Sequence, residues 1–290
     1  MKTKRWLSWA LCALALLLFF VAPYVLPMAS TPATDVAPGT LEIHVIDVGQ
    51  GDAVLLRTAE HAILVDCGTN DSEQDLSDYL SRLRQASLDA LIVSHPHEDH
   101  MGGADMILRE LAVDTLLLPD VAPQEDVGAQ LSAAYAQSDA SARLICAGEV
   151  LEYGALSLLV LSPPSGGFEQ MNDNSLLLRV SYGETTVLLC GDAEAAVEEY
   201  LLQSYDAALL DCDLLKAGHH GSDTSSSKAF LAATTPQYVA ISCGRGNSYG
   251  HPAQSALDRA AAVGAKISRA DRDGTLVFVS DGLELRLREK

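Results

Sequence analysis

From residue 41 onward, short apolar runs alternate with polar breaks marked by glycine. Residues 41–47, 53–57 and 63–66 read as strands, separated by Gly49, Gly51 and Gly68. Residues 74–84 place apolar side chains at helical spacing, 90–94 form a short β-rich run, and 104–111 are helical again. Residues 115–118 are strand-like, 127–137 predict a helix and 157–161 a strand. The runs 175–182 and 186–190 flank Gly183-Glu184, a hairpin signal. A helix at 193–202, a strand at 213–216, a helix at 228–233 and a strand at 238–242 follow, then a helix at 253–263 and strands at 275–279 and 283–287. Meandering strands followed by alternating strands and helices predict two sheets covered by outer helices, a single α/β domain over residues 41–290.

The first forty residues follow another pattern. Residues 6–26 are an uncharged apolar run of 21, preceded by Lys2, Lys4 and Arg5. At about 1.5 Å per residue, such a helix spans roughly 30 Å, the thickness of a bilayer core. The basic end, residues 1–5, stays in the cytoplasm, which places the rest on the extracellular face of the membrane. The run is long for a cleaved signal peptide, and Met28-Ala29-Ser30 is a poor cleavage site, so an anchor is favoured. Cleavage would make the protein secreted. Pro27, Pro32 and Pro38, with Ser30 and Thr31, make residues 27–40 a linker.

Composition narrows the classes. An apolar content of 48% excludes a disordered or fibrous chain. The chain carries 39 acidic and 19 basic residues, a net charge of −20. Beyond residue 30 the balance is 16 basic against 39 acidic, or −23. That argues against a protein that holds nucleic acid mainly through a basic surface. A nucleic-acid enzyme whose active-site metals supply the positive charge remains open. Cys67, Cys146, Cys190, Cys212 and Cys243 form no CxxC pair and read as small buried residues, not ligands.

Candidate chemistry centres on Ser94-His95-Pro96-His97-Glu98-Asp99-His100, where three histidines and two acids fall within six residues after an apolar strand. Packing gives no reason for such a cluster, whereas imidazole and carboxylate together suit divalent metals. His95 and His97 point the same way in an extended segment, while Asp99 and His100 lie where the chain turns into a helix. The arrangement fits two metals better than one. Asp192 ends the 186–190 strand and is placed to bridge them; His219 and His220 follow the 213–216 strand. Lys216, Ser222, Thr224 and Ser225 lie beside that point, where hydroxyls can hold phosphate oxygens. Residues 225–227 read equally well as a helix cap before Lys228. Asn247 and His251 sit in a loop that either approaches the site or is only a turn. Asp47, Gln50, Asp52 and Asp66 flank glycines in tight turns.

HPHEDH matches the HxHxDH motif of the metallo-β-lactamase fold, and the resemblance covers about residues 41–280. It implies a four-layer αββα sandwich. The stretches IDVGQGDAVLL (46–56), ILVDCG (63–68), NDNSLLL (172–178), LLCGDAE (188–194), LKAGHHGSDTSSS (215–227) and NSYGHP (247–252) resemble the C-terminal metallohydrolase domain of the ComEC competence-channel family. That resemblance implies an extracellular nuclease, with DNA or another phosphodiester as substrate and a DNA-uptake complex as partner. Here the domain reads as stand-alone behind one N-terminal membrane segment. It implies that His95 and His97 bind a first divalent ion, Asp99 and His100 a second, and that Asp192 bridges. His220, favoured over His219, completes the second site. Many members have one more histidine before the hairpin; this chain has none between residues 101 and 218, and Asn172, Asp173 or Asn174 occupies the region. Two ions, Zn²⁺ or Mn²⁺, would activate a hydroxide, with Asp99 orienting water and His219 or His251 donating a proton. The family positions of Asp47, Gln50, Asp52 and Asp66 put them in support of the ligands. A metallohydrolase for a small phosphodiester, a cell-wall phosphocholine ester or a lactone is the alternative, and a non-enzymatic metal-binding module a third.

Overall fold

In-and-out alternation along the strands decides the layers of this protein. The computed structural model describes residues 35–120 and 125–289. The basic end, the apolar run at 6–26 and the linker up to residue 34 lie outside the described residues. Among the described residues no helix is long and apolar enough to cross a membrane.

The chain lays down β1 (Leu41–Val45), β2 (Val54–Arg57), β3 (Ala62–Val65), β4 (Ser87–Ile92), β5 (Ala112–Pro119) and β6 (Ser141–Ile145). It then builds a second sheet from β7 (Val150–Tyr153), β8 (Leu156–Ser162), β9 (Leu177–Tyr182), β10 (Thr185–Leu189), β11 (Leu214–Lys216), β12 (Tyr238–Ile241) and β13 (Lys266–Arg269). Finally β14 (Leu276–Ser280) and β15 (Leu285–Leu287) return to the first sheet. The orders are β15-β14-β1-β2-β3-β4-β5-β6 and β13-β12-β11-β10-β9-β8-β7. Strands β3 to β6 are parallel, as are β10 to β13.

Ile43, Val54, Leu56, Ile63, Val65 and Ile92 of the first sheet pack in one cluster with Leu158, Val160, Leu178, Val180 and Leu189 of the second. Their neighbours along the strands, Leu55, Leu64 and Leu91, pack with Leu76, Leu80 and Ile107 from helices Glu73–Arg82 and Ala104–Glu110. On the second sheet Leu188, Leu215 and Val239 pack with Val197, Leu201, Phe230 and Leu231 of helices Ala195–Ser204 and Lys228–Thr234. Both faces of the central strands are therefore buried; β2 and β3 are apolar almost throughout, and β10 is buried at every position. Helix, sheet, sheet, helix is the expected αββα order.

Three strands depart from the sequence reading. β6, β7 and β13 were not expected, and each lies at or next to a sheet edge, with β6 exposed at four of five positions. An edge strand buries little, so its pattern lacks the apolar run that marks a central one. Residues 35–40, expected as linker, already pack on the domain. Val36 is buried, and Asp35 pairs with Arg57 of β2 at 2.6 Å.

Candidate metal centre

Each chemistry-bearing segment leaves the C-terminal end of a parallel strand. Asp66 follows β3, residues 93–100 follow β4, Asp192 follows β10, His219 and His220 follow β11, and the loop with Asn247 and His251 follows β12. Where two parallel arrays face each other, these ends share one rim, so distant sequence positions meet there.

Local backbone aims the side chains. His97 is extended, with φ −86° and ψ 152°, and the helix Glu98–Met101 begins after it. His95 and His97 therefore lie on extended chain, and Asp99 and His100 on the first turn. His219 and His220 are consecutive left-handed residues, with φ 47° and 54°. Such a conformation costs about 1–3 kcal/mol per residue. It is held by His219 N–H donating to the Gly191 carbonyl at 3.0 Å and by Ser222 N–H donating to the His219 carbonyl at 2.8 Å. The turn lets two adjacent imidazoles face one carboxylate.

That carboxylate is Asp192, buried between them. Its Oδ1 lies 3.1 Å from His100 Nε2 and 3.5 Å from His220 Nε2. Its Oδ2 lies 3.8 Å from His95 Nε2 and 3.8 Å from His219 Nε2. Asp99 Oδ2 is 3.3 Å from His220 Nε2, and His97 Nδ1 is 3.1 Å from His95 Nε2. Two groups of donors result. His95 and His219 face one oxygen of Asp192, with His97 beside His95; His100 and His220 face the other, with Asp99 beside His220.

The opposite ring nitrogens are tied down. His100 Nδ1 meets Asp66 Oδ2 at 2.8 Å, His219 Nδ1 meets Glu194 Oε1 at 2.8 Å, and His220 Nδ1 meets the Ser242 carbonyl at 3.1 Å. An acceptor at Nδ1 fixes the tautomer that leaves Nε2 free to ligate. His100 Nε2, His220 Nε2, Asp192 Oδ1 and Asp52 Oδ1 are buried without a hydrogen-bond partner. An unpaired buried polar atom costs about 1–3 kcal/mol. The donor atoms of Asp52, His100, Asp192 and His220 lie within 4.8 Å of one another. Imidazole and carboxylate donors converging in this way fit a divalent cation. Asp52 itself lies on the Nδ1 side of His220, at 3.3 Å, and pairs with Lys216 through its other oxygen. It therefore orients His220 from behind, on the side opposite Asp99.

Electrostatics agree. Burial works against charge on His220, but Asp192 and Asp52 more than offset it and lift the ring to about 9. Burial also opposes charge on His100, yet Asp192 and Asp66 hold its proton far above the usual range. Burial raises Asp192, but His100 and His220 outweigh it and keep the carboxylate ionised. For Asp52, burial is offset chiefly by Lys216, and its carboxyl lies at about 2. Burial, in contrast, pushes His95 and His97 below the usual histidine range, so the protons a metal ion would displace sit on His100 and His220.

Other expected residues fall differently. Lys216 is 1% exposed and paired with Asp52, so it braces the site and does not reach substrate. Ser225 is fully buried and donates to the Ala193 carbonyl at 2.8 Å. Ser222 is buried too, bonded to Thr224, whose hydroxyl donates to Glu194 at 3.0 Å. Ser227 caps helix Lys228–Thr234, accepting from Phe230 N–H at 3.2 Å. The buried hydroxyls of Ser222 and Ser225 build the turn and not a phosphate cradle, while Thr224 is exposed. Asn174 spends its side chain on Phe168 and Gln170 backbone and is no replacement ligand. Asp173 accepts from Glu194 N–H at 3.2 Å. Asn172 does line the cavity, with Oδ1 unpartnered. Gln50 lines it as well and accepts from Gly244 N–H at 3.1 Å. Asp47 faces away and accepts from Gly49 N–H at 3.3 Å, a turn role. His251 lines the cavity, while Asn247 holds its loop. Glu194, which bonds His219, was not anticipated; its only signal is its place two residues after Asp192.

Residues 46–245 match the metallo-beta-lactamase superfamily. The chain is 32% identical to competence protein ComA of Neisseria gonorrhoeae, over 81% of this chain and 32% of that protein. It is 28% identical to ComE operon protein 3 of Bacillus subtilis, over 82% of this chain and 33% of that protein. It is 33% identical to recombination protein 2 of Haemophilus influenzae, over 76% and 26%. The chain thus spans a third or less of the length of these relatives. Among solved structures, the metallo-beta-lactamase fold protein YhfI of Bacillus subtilis superposes with a TM-score of 0.56 at 15% identity, covering 83% of this chain and 100% of that one. Igni18, a metallo hydrolase from Ignicoccus hospitalis, gives 0.53 at 15% identity, covering 82% and 98%. At such identities the likeness carries the fold alone. The sequence match extends over most of the same sandwich and includes its histidine cluster, and on that ground the chain belongs to the metallo-beta-lactamase superfamily.

Proposed function

We propose that this domain is a metal-dependent phosphodiesterase that cleaves DNA on the extracellular face of a membrane. The observation that carries the reading is Asp192, whose two oxygens face two separate groups of histidines. Two divalent ions bound there, Zn²⁺ or Mn²⁺, would supply Lewis acidity toward a phosphoryl oxygen and a water ionised near neutral pH. His95, His97 and His219, beside Asp192, would hold one ion, and Asp99, His100 and His220, beside the same carboxylate, would hold the other. His219 thereby takes the place of the histidine missing before the hairpin. With Nδ1 on Glu194 and Nε2 toward Asp192, it has no nitrogen left for proton delivery. His251 fits that role better, because it lines the cavity and is not tied to Asp192 or Glu194. Asp99, partly exposed and kept ionised by His220 and His100 against burial, faces the cavity and orients water.

DNA is favoured by the similarity to competence and recombination proteins. Their uptake complex is the corresponding proposed partner. Extracellular placement rests on Lys2, Lys4 and Arg5 beside the apolar run at 6–26. Protease added to intact cells should then digest the domain. A small phosphodiester is the second reading, favoured by the net charge of −20.

The test is a panel of labelled DNA, bis-p-nitrophenyl phosphate and a lactone, each with Mn²⁺ and with Zn²⁺. Metal-dependent cleavage of DNA is expected. Turnover of the lactone alone would overturn the phosphodiesterase reading, and activity on the small ester alone would favour the second.

A further inference from the structure

Above the histidines opens a cavity of about 390 Å³ whose wall contains no lysine or arginine. Phosphate-clamping side chains are therefore absent from the lining where substrate must lie. With a net charge of −20, the surrounding protein repels a polyanion as well. Affinity beyond the metals has to come from uncharged contacts.

One side chain of the wall can supply them. Tyr249 is 70% exposed, the most exposed large apolar side chain among the described residues. Its ring stacks on His251, with centroids 5.9 Å apart and planes at 25°. The His251 ring lies 5.4 Å from that of His219 and 6.2 Å from that of His220. A row of rings thus runs from the metal centre to the rim. The loop is preset: Asn247 Oδ1 accepts from the backbone N–H of Tyr249 at 3.1 Å and of His251 at 3.0 Å, and Nδ2 donates to the Gly244 carbonyl at 2.9 Å. The contact with His251 covers only part of the ring, and most of it faces solvent.

We infer that Tyr249 is a stacking platform for a nucleobase next to the scissile phosphate, so that the substrate is single-stranded DNA. A duplex presents its base faces only at its ends, whereas an unpaired strand can lay a base on the ring. This rests on the phosphodiesterase reading and adds the strand type. Because stacking is uncharged, the part of affinity it contributes does not weaken with salt.

The test uses the full chain in detergent with Mn²⁺. Substrates are an oligothymidylate and an abasic oligonucleotide of equal length, and the enzymes are wild type, Tyr249→Ala and Tyr249→Phe. Tyr249→Ala should raise KM for oligothymidylate about tenfold. KM for the abasic strand should stay as it is, and Tyr249→Phe should behave as wild type. Equal KM values for Tyr249→Ala and wild type on oligothymidylate would overturn this inference and leave the phosphodiesterase reading standing. A wild-type enzyme that hydrolyses no phosphodiester would overturn both.

Discussion

Asp192 concentrates the chemistry of this chain in one carboxylate. An amide at its position has the same shape but no charge, so the two histidine groups would lose their common counter-charge together. Asp192→Asn should lower phosphodiester hydrolysis about a hundredfold or more. Metal bound per chain should fall with it, which elemental analysis measures; near-normal turnover would show the bridge to be wrongly assigned. Behind the ligands, Lys216 and Asp52 form a buried ion pair. Removing one partner leaves an uncompensated charge in the interior, at a cost of about 3 kcal/mol. Lys216→Met should therefore destabilise by that order in urea melts, and pairing it with Asp52→Asn should restore part of the loss. If Lys216 were a substrate contact, KM would change and stability would not.

At the scale of elements, the loop between β1 and β2 braces the HPHEDH segment. Asp52 N–H donates to the Asp99 carbonyl at 3.1 Å, and Gly51, at φ +140°, lies against that same carbonyl. A methyl group there would run into it, besides straining the backbone. Gly51→Ala should displace Asp99 and weaken the second metal position, read as lower metal affinity by calorimetry with circular dichroism unchanged. Unaltered affinity would mean that the loop does not set Asp99. This contact is invisible in a pattern of apolar runs, because it joins two turns through backbone atoms. The central strands were legible for the opposite reason. Buried on both faces, β2, β3 and the later halves of β4 and β10 are nearly continuous apolar runs, whereas β6 and β13 at the sheet edges show mixed, partly exposed positions.

For the whole molecule, one polar network ties early and late chain together. Glu42 of β1 accepts from Arg57 of β2 at 3.4 Å, meets His44 at 3.0 Å, and pairs with Arg288 beyond β15. The His44 hydrogen bond, aided by Arg288 and opposed by burial, lowers the Glu42 carboxyl from 4.5 to about 2. Its folded value lies below its unfolded one, so its stabilisation is complete above pH 4.5 and fades as pH falls toward 2. Glu42→Gln should remove that part of the acid dependence, seen as a flatter profile of unfolding free energy over this window. An unchanged slope would place the acid sensitivity elsewhere.

By itself the sequence determined the layer order, the candidate metal-binding segment and the metallohydrolase family. Periodicity follows directly from which faces are buried, and three histidines within six residues have no packing explanation. Only the tertiary structure decided how the histidines divide between the two oxygens of Asp192 and which polar residues bond them. His219 and His220 are neighbours in sequence, yet their left-handed turn sends them to different oxygens of Asp192. Lys216 and Ser225 looked available to substrate and are buried, and Glu194 holds His219 from 25 residues away. The physical reason is that distance along the chain says nothing of distance across the rim where parallel strands end.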